Sequence, residues 1–319
     1  MTMKLSWWLM IIFLIQAFHV SAADQELRIA MLLWRGETEA EAGFKSGLQE
    51  LGYQTTFEIH DAAQDLSKLG AILRSINNNL IAYDYVYTFG TTVSRRAKVV
   101  IGGKLPQIFN IVTDPVGAGI VDSLDSPGPT IGGGSDRIGI TRQLDEVGRM
   151  LTFKKLGFFF NPREKNSLIT RDELHRYGKE KGFEVVDFPS PPVDQVLLRN
   201  LQMLSDSPDL VDAVYLAPDS YLSSEGALIG TKLREAKIVS ITQIRSLIEH
   251  GVLIGIAGDY HELGRAVASI VDRHQQGMVF EKIPVAHFTN LKLLMNKSSA
   301  DLLGLELDGS LPANAELVD

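Results

Sequence analysis

The sequence predicts an α/β protein made of two Rossmann-like lobes, each built on a parallel sheet and joined to the other by crossing segments. Three observations carry this. Short apolar runs alternate with stretches of helical periodicity, the signature of parallel βαβ units. The alternation occupies both halves of the 319-residue chain, a length that suits two α/β domains. Between the halves lies the strongest break in the sequence, Ser126-Pro127-Gly128-Pro129 running through Gly132-Gly133-Gly134 to Asp136, read as the first crossing between lobes.

The elements follow in order. Met31-Leu32-Leu33 is the apolar run of the first strand, and residues 37–51 place Ala40, Phe44, Leu48 and Leu51 on one helical face before Gly52 stops the helix. A strand over 54–59 and a helix over 64–79, with Leu66, Leu69, Ile72, Leu73 and Ile76 on its apolar face, lead to the strand ending at Tyr87. A helix over 91–101, a strand over 108–112 and a short helix over 116–124 complete the first half. The second half predicts helix 140–151, strand 155–160, helix 167–181, strand 184–188, helix 193–204, strand 213–217, helix 223–236, strands 238–242 and 252–257, and helix 260–275. The tail adds strand-like pieces over 285–288 and 292–296, then 299–303 and a polar end.

Five of the apolar runs stop at a polar tag: Trp34-Arg35-Gly36, Thr88 to Thr92, Thr113-Asp114-Pro115, Asn161-Pro162 and Pro218-Asp219-Ser220. Ligands of open parallel sheets bind outside the carboxyl ends of the strands, where loops and helix N-termini present free N–H groups. Two such sheets facing across a gap make a small-molecule cleft. Each tag also reads as an ordinary helix cap or turn, and Trp34 reads either as core or as an aromatic wall at the cleft mouth.

Composition narrows the function. A net charge of −8 disfavours nucleic acid and anionic membranes. There is no cysteine, hence no disulfide, no thiolate chemistry and no lipid-bearing residue at a signal boundary. Residues 1–22 read as a cleavable export signal, with Lys4, an apolar stretch over 5–18 and Val20-Ser21-Ala22 as the cleavage site; a retained anchor is the competing reading. The glycine fingerprint fails at Asp122 and at Arg137, and Walker A, GxSxG and HExxH motifs are missing, so neither cofactor nor metal is expected. His261 beside Glu262 reads as a helix-face pair. Asp114, Asp219 and Asp259 could converge for acid/base work, but three acids without nucleophile or metal suit the grasp of a cation better.

Read in order, several stretches resemble the ABC transporter substrate-binding protein family of the tryptophan- and tyrosine-binding type. They are Gly43-Phe44 with Gly47-Leu48 and Leu51-Gly52-Tyr53; Thr113 through Gly119; Ser135-Asp136 with Gln143-Leu144; Asn161-Pro162 with Asn166-Ser167; and Gly258-Asp259-Tyr260 with Glu262-Leu263-Gly264. The ending, Asn296 with Ala300, Leu303-Gly304-Leu305 and Leu311-Pro312, fits too. The resemblance implies the type I periplasmic binding protein fold, capture of an amino-acid-like or aromatic ligand between the lobes, and delivery to an inner-membrane permease by a periplasmic monomer, without catalysis.

Carried over residue by residue, it places Trp34, Arg35, Thr91, Thr92, Thr113, Asp114, Asn161, Asn166, Ser167, Asp219 and Asp259 at the cleft. Hydroxyls and helix N-termini would hold a ligand carboxylate, and an aspartate, Asp219 first, the ammonium. Three departures stand out: Trp34 and Arg35 are larger than usual at the first loop, Arg163 stands in a position that tends to glycine, and Arg95-Arg96 make their helix unusually basic. The expected first lobe is 27–135 plus 259–277, and the second is 136–258 plus 278–319. A sensory module that docks on a membrane signalling protein is the alternative function.

Overall fold

The computed structural model describes residues 26–193, 195–305 and 315–319. The expected export signal over 1–22 and the Leu311-Pro312 stretch lie outside the described residues. The first lobe begins with β1 (Glu26–Leu33), α1 (Glu39–Glu50), β2 (Gln54–Asp61), α2 (Leu66–Asn78), β3 (Tyr85–Phe89), α3 (Gly90–Ile101), β4 (Gln107–Asn110) and β5 (Ile131–Ser135). The chain then crosses. The second lobe takes α4 (Ile140–Val147), β6 (Lys155–Phe160), α5 (Lys165–Lys181), β7 (Glu184–Pro189), α6 (Val196–Asp206), β8 (Ala213–Leu216), α7 (Ser220–Ser224), α8 (Gly226–Glu235), β9 (Val239–Thr242), α9 (Arg245–Glu249) and β10 (Ile254–Gly258). A second crossing returns α10 (Tyr260–Gln275) and β11 (Ala286–His287) to the first lobe, and a third carries β12 (Leu291–Asn296), α11 (Lys297–Leu302) and β13 (Ala315–Val318) back to the second.

The first sheet has the order β11-β5-β4-β3-β1-β2 and the second β13-β12-β10-β9-β8-β6-β7. All neighbours run parallel except β10 with β12, so the carboxyl ends of all the strands of the first sheet, and of β6 to β10 in the second, gather at one edge, while β12 and β13 run the other way. Each lobe has its own core. Phe44, Tyr87, Val93 and Val267 are buried in the first, and Phe158, Phe159, Tyr215 and Ile254 in the second. The central strands are buried throughout because helices cover both faces, which is why they read as continuous apolar runs rather than alternating ones.

α10 belongs to the first lobe because small residues let it touch α1 backbone to backbone. A Cβ on Gly43 would stand 2.0 Å from the His261 carbonyl oxygen, and one on Gly264 2.2 Å from that of Ala40. α1 itself starts at a complete capping box, with Thr38 accepting from the Ala40 N–H and Glu41 accepting from the Thr38 N–H at 2.7 Å.

Four expectations are corrected. Residues 280–287 do not join the second lobe with the rest of the tail: Phe280 and Ile283 sit in the first core and β11 pairs with β5. The reason is on β5, where Gly132 has no side chain to fill the space that Phe280 takes, 2.8 Å from where a Cβ would be. The glycine-rich stretch 131–135, read as part of the crossing, is therefore a strand. Residues 116–124 form turns rather than a helix, since Gly117 and Gly119 interrupt them and helical propensity is low there. Helix 223–236 divides into α7 and α8 at Glu225, and α9 was not expected. No helix among the described residues is long and apolar enough to cross a membrane.

Candidate functional site

A small cavity lies where the strand ends of the two sheets meet, and both lobes line it. From the first lobe come Arg35 after β1, Phe89 at the end of β3, Gly90 and Thr91 at the start of α3, Ile111 and Thr113 after β4, and Asp136 after β5. From the second come Glu164 and Asn166 at the start of α5, Pro218, Asp219, Ser220 and Ser223 around α7, and Ile244 before α9. Tyr260, the first residue of α10, closes the ring.

The wall contains a ready anion site. α3 starts with Phe89 in the cap position and no side chain bonded to its first N–H groups, so Gly90 and Thr91 open the positive end of a twelve-residue helix toward the cavity. Beside it stands Arg35, the single cation among the lining residues. Its guanidinium lies over the Phe89 ring, 5.7 Å from the centroid, and its Nε is buried without a hydrogen-bond partner.

The same cavity is lined by three buried carboxyls, Asp136, Glu164 and Asp219, which are 2%, 5% and 3% exposed. None has a Lys, Arg or His nitrogen within 4 Å among the described residues. Their hydrogen bonding differs sharply. Asp219 is satisfied: Oδ1 accepts from the Leu222 N–H at 2.8 Å, capping α7, while Oδ2 accepts from the Asn161 N–H at 2.9 Å and the Ser167 hydroxyl at 3.1 Å. Burial, with the negative charge of Glu164 beside it, pushes its pKa up to about 8. Glu164 is also raised, mainly by burial, and holds only long contacts, among them the Ser220 N–H at 3.3 Å.

Asp136 is the exception. Its Oδ2 accepts from the Tyr260 hydroxyl at 3.1 Å, whereas Oδ1 is buried with no hydrogen-bond partner. The Thr113 hydroxyl lies near enough to favour the ionised form. Burial raises this carboxyl to about 6, against the pull of Thr113, Tyr260 and Arg35. An orphan buried acceptor and an orphan buried donor, the Arg35 Nε, thus share one cavity. Such groups carry a desolvation cost until something pairs with them.

Of the residues expected at the cleft, Arg35, Thr91, Thr113, Asn166 and Asp219 line this cavity. Three stand behind its wall. Trp34 is 6% exposed in the first core, with its indole nitrogen beside Glu164 but unbonded; Asn161 gives its backbone N–H to Asp219 and its side-chain amide to Glu164 at 3.5 Å, and the Ser167 hydroxyl donates to Asp219. Three lie elsewhere, each for a local reason. Thr92, one residue further around α3, faces an outer groove. Asp114 accepts from the Gly117 N–H and pairs with Arg137 at 3.0 Å, which in turn reaches Glu173 of α5 at 2.6 Å. Asp259 is an exposed cap that accepts from the His261 and Glu262 N–H groups.

Sequence reasoning missed Asp136, Glu164, Phe89, Ile111, Ile244 and Tyr260 as lining residues. Two signals were present: Asp136 ends the apolar run 131–135 as the other tags end theirs, and Glu164 stands between Asn161 and Asn166.

The profile of the family described as ABC transporter substrate binding protein matches residues 31–318. The tyrosine-binding protein of Clostridioides difficile (strain R20291) is 27% identical over 271 residues, 84% of this chain and 77% of its own length. Among solved structures, the ABC domain in complex with L-Trp from Streptococcus pneumonia superposes with a TM-score of 0.80 at 24% identity, covering 91% of this chain and all of that one (100%). A conserved domain protein from Vibrio cholerae gives 0.83 at 21% identity over 92% and 100% of the two chains. The ligand-free, open form of a Clostridium difficile substrate-binding protein with adhesive properties gives 0.70 at 22% identity over 92% and 99%.

Proposed function

Because this chain belongs to the ABC transporter substrate-binding protein family, we propose that it captures a small zwitterionic, amino-acid-like ligand between its lobes and delivers it to an ABC importer. The observation that carries this reading is the pair of orphan buried groups of opposite charge, the Arg35 Nε and the Asp136 Oδ1, in one cavity. A ligand carboxylate satisfies Arg35 and the open N–H groups at the start of α3, with the Thr91 hydroxyl in reach, and a ligand ammonium satisfies Asp136. Asp136 thereby replaces Asp219, whose oxygens are already engaged by three donors.

Glu164 and Asp219 play a different part. Two buried carboxyls without a counter-ion cannot both ionise cheaply, so they keep a proton between them and hold the second-lobe wall in place. The relatives support the ligand class in kind: one is named for tyrosine and one holds L-Trp. The protein acts in the periplasm as a monomer, exported by residues 1–22, and N-terminal sequencing of the mature chain starts near Ala23. Native mass spectrometry of the purified protein, followed by calorimetry against a panel of L-amino acids, tests the binding reading. A protein that arrives empty and responds to no member of the panel rejects it.

A further inference from the structure

The outer face of the molecule carries a wide groove that runs from α2 and α3 across to the start of α5, so both lobes build it. Six cations line it: Arg74, Arg95, Arg96 and Lys98 from the first lobe, Arg163 and Lys165 from the second. All six are exposed, and no acid lines the groove. Among the described residues none of the six has a carboxylate within 4 Å. Two of them reach backbone carbonyls instead, Arg95 Nε to Ala118 at 2.8 Å and Lys98 Nζ to Gly119 at 3.0 Å. In a chain with 39 acids against 31 bases, this face reverses the sign of the whole.

The groove is not purely polar. Leu66 and Val99 on its walls are 44% and 81% exposed, and Leu168 joins them from the second lobe. Resting on the proposal that the protein delivers its ligand to a membrane partner, we infer that this groove docks an acidic segment of that partner with apolar residues interleaved. Carboxylates supply the counter-charge that the six cations lack, and apolar side chains cover the exposed leucine and valine. A bilayer of anionic lipid also supplies charge, but its flat surface does not follow a concave groove. Because Arg163, Lys165 and Leu168 sit on the other lobe from the remaining cations, the full set assembles only with the lobes in this arrangement. Docking there reports closure.

The test uses a fluorescein-labelled peptide of repeated Glu-Glu-Leu, with an all-glutamate peptide and phosphatidylglycerol vesicles alongside it. The full chain binds the Glu-Glu-Leu peptide in 50 mM salt, more weakly in 300 mM salt and more weakly still as the all-glutamate form. The double variant Arg74→Glu/Arg96→Glu and the single variant Lys165→Glu each lose at least tenfold, with melting temperature and amino-acid affinity unchanged. Equal peptide binding by wild type and variants overturns the inference, as does vesicle binding that outlasts peptide binding. If no amino acid binds but the variants still lose the peptide, the groove stands and the cavity reading falls. If amino acids bind and the peptide does not, the reverse holds.

Discussion

Replacing Asp136 by asparagine keeps the shape of the side chain and its bond to the Tyr260 hydroxyl, but removes the charge that meets the ligand ammonium. The carboxyl is 2% exposed, so the pair it forms with the ligand is shielded from water. Truncating one partner of a buried, hydrogen-bonded charge pair costs about 2 to 5 kcal/mol, which is roughly thirty-fold to several thousand-fold in Kd. The cost falls on the complex and not on the fold: with no counter-ion within 4 Å in the free protein, neutralising Asp136 leaves the ligand-free melting temperature equal or higher.

Protonation adds a second signature. Binding an ammonium requires the ionised carboxyl, whose pKa is about 6 in the free protein. Affinity therefore falls as pH drops below 6, approaching tenfold per pH unit, and Asp136→Asn abolishes that dependence. Calorimetry between pH 5 and 8 on wild type and variant, with the amino acid that binds best, reads both effects. Unchanged affinity in Asp136→Asn refutes the reasoning, as does a fall in affinity matched by an equal fall in stability.

Asp219→Asn lowers the melting temperature, because an amide cannot accept from Leu222, Asn161 and Ser167 as the carboxyl does; losing a cap and a buried bond costs about 1 to 3 kcal/mol. The raised pKa of about 8 at Asp219 means that the folded chain holds a proton the unfolded chain has released, so ligand-free stability is greatest at the acid end and declines as pH climbs from about 4 through 8. Thermal melts at pH 5.5 and 8.5 show the drop, and Asp219→Asn flattens it. Gly43→Ala forces α1 off α10, since its Cβ would stand 2.0 Å from the His261 carbonyl oxygen, and destabilises by about 1 to 3 kcal/mol in urea titration. Arg137→Ala removes the link from Asp114 to Glu173, and small-angle scattering of the ligand-free variant shows a larger radius of gyration than wild type.

The βαβ rhythm was legible because buried parallel strands and their covering helices leave periods that survive without tertiary context, from Leu27 to Ile256. The return of residues 280–287 to the first lobe was not, because it depends on Phe280 filling the space above Gly132, a match between positions far apart in sequence. At the site, the strand-end rule located the region correctly. It could not separate a cap from a lining residue: Asp259 and Asp136 each follow an apolar run, yet one turns its oxygens to its own helix and the other to the cavity. That difference lies in side-chain direction, which sequence spacing does not encode.

The helix contact at Gly43 and Gly264 also orders events in time. α1 lies near the start of the chain and its packing partner more than two hundred residues later, so the first lobe cannot close its core until almost the whole chain exists. Synthesis yields the five strands β1 to β5 early, with α1 on the face that α10 later shares, yet the β4 and β5 part of that face stays open while the entire second lobe is made. A contact of such long range makes nucleation slow, and the growing chain spends that interval exposed to aggregation. A fragment ending before Tyr260 is therefore not a half-protein that folds by itself, but a sheet whose β4 and β5 strands lack the helix that covers one of their faces.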